Sequence, residues 1–193
     1  MTDRRLPLVL LCLGLLLFGA GLLLWWDAPL DRLLHHALRL GRGPAVKPVV
    51  RLSVLGSLLV LGPITLAVAL LLLVRGERRE AAWLLVTIAV GRLLVEGGKT
   101  IIHRPRPPIG DRLEIVTSWS FPSSHSAGTM MTGVAIALAA RGGRAGLLVA
   151  LLAAATIGWT RAALGVHWPS DVLAGWGFGL AWVGVARRYG APR

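Results

Sequence analysis

Cysteine is all but missing from this chain: Cys12 stands alone among 193 residues. An intrachain disulfide and a cysteine-based metal cluster are therefore both excluded. Acidic side chains are also scarce, 9 Asp and Glu against 21 Lys and Arg. Charged residues of both signs make up only 16%, while 55% are hydrophobic and the mean hydropathy is +0.68. That balance rules out an ordinary soluble domain. At this length a membrane bundle leaves no room for a substantial separate catalytic domain, so 1–193 reads as one domain with its chemistry inside the bundle.

A formal charge of +12 would suggest nucleic acid in a soluble protein. Here the basic residues sit mostly in short connections between apolar runs. They read as topology signals, contacts to anionic membrane lipids and phosphate ligands, with no nucleic-acid partner. Cys12 lies within an apolar run and reads as a small packing residue.

About 20 apolar residues span the hydrocarbon core as a helix. The runs 6–26 and 52–74 reach this length without a charge. The first follows Arg4 and Arg5 but is too long for a signal-peptide core and lacks a small-residue cleavage site, so it reads as a membrane helix. Four runs of about 15 residues follow, at 81–95, 126–140, 145–160 and 172–186, completing their spans with polar flanks that face a cavity. The expected fold is all-α: an integral-membrane bundle of six transmembrane helices. Arg92 and Glu96, one turn apart, are expected to neutralise each other. Between the first two spans, Leu30, Leu33, Leu34 and Leu38 recur at helical spacing against Asp31, Arg32, His35, His36 and Arg39. This predicts an interfacial helix with a solvated polar face.

Six spans put both termini on one side, with Arg4, Arg5, Arg75, Arg78, Arg79, Arg141, Arg144, Arg187, Arg188 and Arg193. The remaining basic residues, Arg92 aside, are about as many. Several of those belong to polar motifs and have a chemical reason to be there. Discounting them places the termini in the cytoplasm.

Three polar clusters fall on the opposite side. In Lys99-Thr-Ile-Ile-His-Arg104-Pro105-Arg106-Pro107-Pro108, the prolines stop a helix and stiffen its exit. Arg104 and Arg106, two apart on extended chain, face opposite ways and are expected to do different jobs. In Ser120-Phe-Pro122-Ser123-Ser124-His125, Pro122 suits a first helical turn whose free amides bind an anion, with the Ser123 hydroxyl as a further donor. In Thr160-Arg161-Ala-Leu-Gly-Val-His167-Trp168-Pro169-Ser170-Asp171, Asp171 is placed to accept a hydrogen bond from His167 and orient its ring. An oriented neutral imidazole is a nucleophile or a metal ligand, and Arg161 beside it favours the nucleophile. Three cations, two helix N-termini and two histidines suit a phosphoryl group.

At these residues the sequence resembles the type 2 phosphatidic acid phosphatase superfamily, membrane lipid phosphatases that share a core with the vanadium haloperoxidases. Its motif Lys-X6-Arg-Pro matches Lys99 through Arg106-Pro107. Its Pro-Ser-Gly-His matches Pro122-Ser123-Ser124-His125, and its Ser-Arg-X5-His-X3-Asp matches Thr160-Arg161 through His167 and Asp171. Ser124 replaces the motif glycine and Thr160 the motif serine, so the motif core covers about 99–171.

The resemblance implies that His167 attacks phosphorus, Asp171 orients it and His125 protonates the leaving oxygen. It implies phosphate contacts from Lys99, Arg106, Ser123, Ser124 and Arg161, with no metal and no cofactor. His103 and Arg104, outside the motif, are expected to be structural or lipid-facing. The expected partner is a lipid phosphate substrate, first undecaprenyl diphosphate, in the bacterial inner membrane with the site extracytoplasmic. Phosphatidylglycerophosphate, phosphatidic acid, diacylglycerol diphosphate and lipid A phosphates suit the same site. A non-catalytic phosphate-lipid binder or transporter, or a vanadate-binding oxidase, would use the same bundle with different chemistry.

Overall fold

The computed structural model describes residues 5–190. Arg4 and Arg193, counted above with the terminal side, lie outside them. Among the described residues all regular structure is helical. Its elements are α1 (Leu6–Trp26), α2 (Ala28–Leu38), α3 (Val46–Val54), α4 (Leu58–Val74), α5 (Arg78–Ile102), α6 (Ser124–Ala139), α7 (Gly143–Ala163) and α8 (Pro169–Gly190), with a 3-10 turn at Ile109–Asp111. Four stretches are long and apolar enough to cross a membrane: Leu6–Trp26, Val46–Val74, Arg78–Ile102 and Gly143–Ala163. Their outward faces carry Leu16, Leu23, Leu59, Val74 and Val149, all more than half exposed. A continuous apolar exterior of this kind matches lipid, not water, and the chain is an integral membrane protein.

The run expected at 52–74 is interrupted. Residues 55–57 turn between α3 and α4, and Ser57 is the extended N-cap of α4. Gly56 is required in the turn because a Cβ there would stand 2.4 Å from Ile157 Cγ2. The break turns Ser53, at the end of α3, into the interior. The expected short runs are extended at their ends, α5 to 25 residues and α8 to 22.

Helix α8 lies along α1 and α6, and α6 packs on α5 and α7. The α1–α8 contact is close enough for backbone to touch backbone: a Cβ on Gly177 would lie 2.3 Å from Phe18 N. The main core joins Leu72, Trp83, Leu84, Met131, Val134, Ala154 and Val183. A smaller cluster of Val49, Ala163, Leu164 and Val166 underpins the turn from α7 to α8. Together these hold the C-terminal ends of α5 and α7 beside the N-terminal ends of α6 and α8, so all three polar clusters meet at one end of the bundle.

Two sequence expectations are reversed. Cys12 is exposed on the outer face of α1 and packs no core. In α2 part of the polar stripe faces the protein: Asp31 and His35 are each 1% exposed, while Leu30, Leu33 and Leu38 point outward. An amphipathic helix placed between a polar protein end and an apolar surrounding inverts the usual arrangement. His36 does remain exposed. His35 instead packs on Trp168, ring centroids 5.1 Å apart, with Asp111 3.6 Å from its Nε2.

Candidate active site

The turn that presents His167 is built from the sequence outward. Leu164 ends α7, and Gly165 adopts φ +67° where a Cβ would meet Asp111 O at 2.3 Å, so only glycine fits. Pro169 opens α8, where its missing N–H is harmless. Asp171 thereby lies one turn above His167, with Oδ2 3.3 Å from His167 Nδ1. The same oxygen accepts from Trp168 N at 2.9 Å and from Ser120 Oγ at 2.5 Å.

On the other side of the imidazole, Arg106 Nη1 is 3.0 Å from His167 Nε2. A guanidinium only donates, so Nε2 carries the lone pair and the ring proton is on Nδ1, toward Asp171. His167 is 1% exposed. Burial foremost, then the charges of Arg106, Lys99 and Arg161, hold its pKa well below the usual 6.5. The ring is neutral at pH 7, as a nucleophile must be. Arg106 is pushed down to about 10, by burial first and then by Arg161, and stays cationic.

Arg106 is held by a fan of acceptors: Ser118 O at 2.6 Å, Val166 O at 2.6 Å, Ser118 Oγ at 3.1 Å and Trp119 O at 3.1 Å. Lys99, in the last turn of α5, donates to the same Trp119 carbonyl at 2.7 Å. The two cations thus converge from a helix end and an extended loop. Arg161, 2% exposed, donates from Nη1 to Ser53 Oγ at 2.6 Å and Glu114 Oε2 at 2.7 Å. Its Nε is buried without a hydrogen-bond partner.

Ser123 is the N-cap of α6, and its side-chain oxygen accepts from Ser126 N at 3.4 Å and Ser126 Oγ at 3.0 Å. Pro122, expected in the first turn, lies just before the cap. Ser123 N donates to Asp171 O at 3.1 Å, joining the starts of α6 and α8. His125 follows in the first turn and is one of the groups whose charge bears on His167. Arg92 and Glu96 do not close on each other. Arg92 Nη1 donates to Ser124 O at 2.9 Å, and the Ser124 hydroxyl donates to Glu96 Oε1 at 2.7 Å. The side chain that replaces the motif glycine is thereby directed to α5.

Arg104 takes the structural one of its two expected roles. It is 6% exposed, not lipid-facing, and bonds Asp171 Oδ1 at 2.5 Å and Asp31 Oδ2 at 2.7 Å. His103 is exposed and ends α5 with φ +51°. Ser120, Glu114, Ser53 and Asp31 also join the network. The alternation of Arg104 and Arg106 was the one sequence signal pointing to two separate tasks, and the structure sets them at opposite ends of the His167–Asp171 pair. Among the described residues no three His, Cys, Asp or Glu side chains gather as a metal site.

A curated relative, the undecaprenyl-diphosphatase of Sulfolobus acidocaldarius, is 30% identical over 120 residues, 60% of this chain and 57% of that protein. The match thus spans under two thirds of the relative's length. Among solved structures, the transmembrane PAP2 type phosphatidylglycerolphosphate phosphatase from Bacillus subtilis superposes with a TM-score of 0.79 at 25% identity. The alignment covers 95% of this chain and 94% of the other. LpxE of Aquifex aeolicus superposes with a TM-score of 0.67 at 27% identity, over 84% and 94% of the two chains. With the PAP2 superfamily model matching residues 80–193, which contain all three polar clusters, this chain belongs to the PAP2 superfamily.

Proposed function

We propose that this protein is a metal-independent membrane lipid phosphatase acting through a phosphohistidine. The observation that carries the reading is the neutral imidazole of His167, held between Asp171 at Nδ1 and Arg106 at Nε2. In the first step the Nε2 lone pair forms a bond to phosphorus as the P–O bond to the lipid breaks. His125, in its protonated form, gives its proton to the departing oxygen. Asp171 stabilises the imidazolium character that develops on His167. In the second step water, losing a proton to His125, attacks phosphorus and the P–N bond breaks, releasing inorganic phosphate and regenerating both histidines. Lys99, Arg106, the unpartnered Nε of Arg161, the Ser123 hydroxyl and the Ser124 amide at the start of α6 supply the countercharge for the phosphoryl oxygens.

The bundle crosses the bacterial inner membrane six times, α6 and α8 completing the set, with the termini cytoplasmic and the site extracytoplasmic. Helix α2 lies in the interface. The first-choice substrate is undecaprenyl diphosphate, the lipid in the name of the Sulfolobus relative. Phosphatidylglycerophosphate is the second, since the Bacillus structure acts on such a lipid by its name and covers more of the chain.

The test is phosphate release by the purified protein in EDTA, with both lipids and phosphatidic acid as substrates and His167→Ala as the blank. Turnover in EDTA and loss to below about a tenth in His167→Ala is the expected result. Lipid binding without release, unchanged in His167→Ala, would make the protein a binder, and a magnesium-restored rate would end the metal-free mechanism. The preferred lipid fixes the substrate.

A further inference from the structure

The two oxygens of Asp171 face different partners. Oδ2 takes Ser120, Trp168 N and the His167 ring. Among the described residues Oδ1 takes only Arg104 Nη1, which also donates to Ser170 Oγ at 2.7 Å. The other arm of the guanidinium, Nη2, binds Asp31 Oδ2 on α2. Asp31 is fixed in turn by Ser170, whose N donates to Oδ1 at 3.0 Å and whose hydroxyl donates to Oδ2. Arg104, Asp31, Ser170 and Asp171 are all less than 10% exposed. The Arg104 guanidinium carbon also lies 4.7 Å from the Trp25 ring centroid and 5.7 Å from that of Trp168.

We propose that Arg104 and Asp31 are positioning residues for the attacking histidine, forming a carboxylate–guanidinium–carboxylate clamp that fixes the rotamer and charge of Asp171. The proposal rests on the phosphatase reading above. Arg104 alone would hold Asp171 in place but cancel its charge, weakening its hold on the His167 proton. Asp31 shares the guanidinium, so the trio keeps one net negative charge behind His167. That charge opposes the cations facing the ring, Lys99 from α5, Arg106 from the loop and Arg161 from α7, with His125 from α6. The buried stripe of α2 thereby belongs to the catalytic apparatus, although α2 supplies no group to the phosphate.

The test uses the full-length protein in detergent, with Arg104→Gln, Asp31→Asn, their double variant and Arg32→Gln, an exposed neighbour on α2. Phosphate release should show kcat lowered about 10- to 100-fold in Arg104→Gln and about tenfold in Asp31→Asn, with KM changed less than about threefold. The double variant should be no worse than Arg104→Gln, because the two act as one unit. Histidine 15N NMR should show the His167 titration moved up in pH by Arg104→Gln, down by Asp31→Asn, and unmoved by Arg32→Gln. Should Arg104→Gln fail to fold, Asp31→Asn alone carries both readouts. Full kcat in Asp31→Asn, a loss lying in KM, additive losses, or equal shifts from Arg32→Gln would each overturn the clamp. If wild type releases no phosphate from any lipid, the phosphatase reading falls. If wild type is active, His167→Ala is dead and Asp31→Asn is unaffected, the clamp alone falls.

Discussion

His167 shows how a single side chain is prepared by what encloses it. Burial and three nearby cations disfavour its protonated form, so the unfolded chain, with a histidine near pKa 6.5, binds the proton more readily. The sign follows: folding stability associated with this ring is complete above about pH 6.5 and falls as the pH drops below it, where unfolding takes up a proton. The slope for one such group is at most about 1.4 kcal/mol per pH unit. Thermal melting in detergent at pH 7, 6 and 5 should therefore show a steeper decline for wild type than for His167→Gln. Equal declines would mean that the fold leaves the ring's proton affinity unchanged, so that burial and the cations do not keep it neutral. Arg161 is prepared differently, since Glu114 and Ser53 anchor one nitrogen while Nε stays unengaged.

At the scale of helices, the site was legible where its residues are near in sequence, and illegible where they are not. Pro105, Pro107 and Pro169 mark element ends in any context, and the His167–Asp171 spacing is one helical turn, so those features could be read directly. Arg104 meets Asp31 and Asp171 across 73 and 67 positions, a separation no local pattern encodes. Helix α2 was misread only on its polar side: Asp31 and His35 were assigned to water, whereas they turn into the charged end of the bundle. The break at Gly56 was hidden because the run carries no charge, and because its other breaker pair, Gly62-Pro63, lies inside α4 without ending it. The α1–α8 seam yields a prediction at this scale. Gly177→Ala puts a methyl 2.3 Å from the Phe18 amide nitrogen, whereas Gly19→Ala on the neighbouring helix meets nothing within 4 Å. Gly177→Ala should cost about 1–3 kcal/mol through overpacking, and Gly19→Ala should be neutral or stabilising by up to about 1 kcal/mol. Melting temperatures of the two variants in one detergent decide it; equal values would mean that the helices do not approach this closely.

For the whole molecule the governing question is which end of the bundle faces the cytoplasm, because an enzyme with one active end reaches lipid headgroups of one leaflet only. Arg5, Arg75, Arg78, Arg79, Arg141, Arg144, Arg187 and Arg188 share the end away from His167, and of these Arg187 and Arg141 pair with Glu80 and Glu77. At the site end, Lys99, Arg104, Arg106 and Arg161 are committed to the buried network. Setting these aside leaves Arg32, Arg39, Arg42, Lys47, Arg51 and Arg112. Lys and Arg near short cytoplasmic connections orient a membrane protein, and the proposed topology accordingly turns the short connections with Arg75, Arg78, Arg141 and Arg144 inward and the site outward. The lone cysteine makes this testable in living cells, since Cys12→Ser gives a chain without thiols. Ile115 is 94% exposed on the loop beside the site, and Arg144 is exposed on the turn into α7 at the far end. In intact cells a membrane-impermeant maleimide should label Ile115→Cys and leave Arg144→Cys unlabelled until the membrane is permeabilised. The reverse pattern would place His167 against the cytoplasmic leaflet and exclude a substrate whose phosphate is presented outside. Labelling of both in intact cells would show that the bundle does not seal one end from the other, and the six-span arrangement would fall with it.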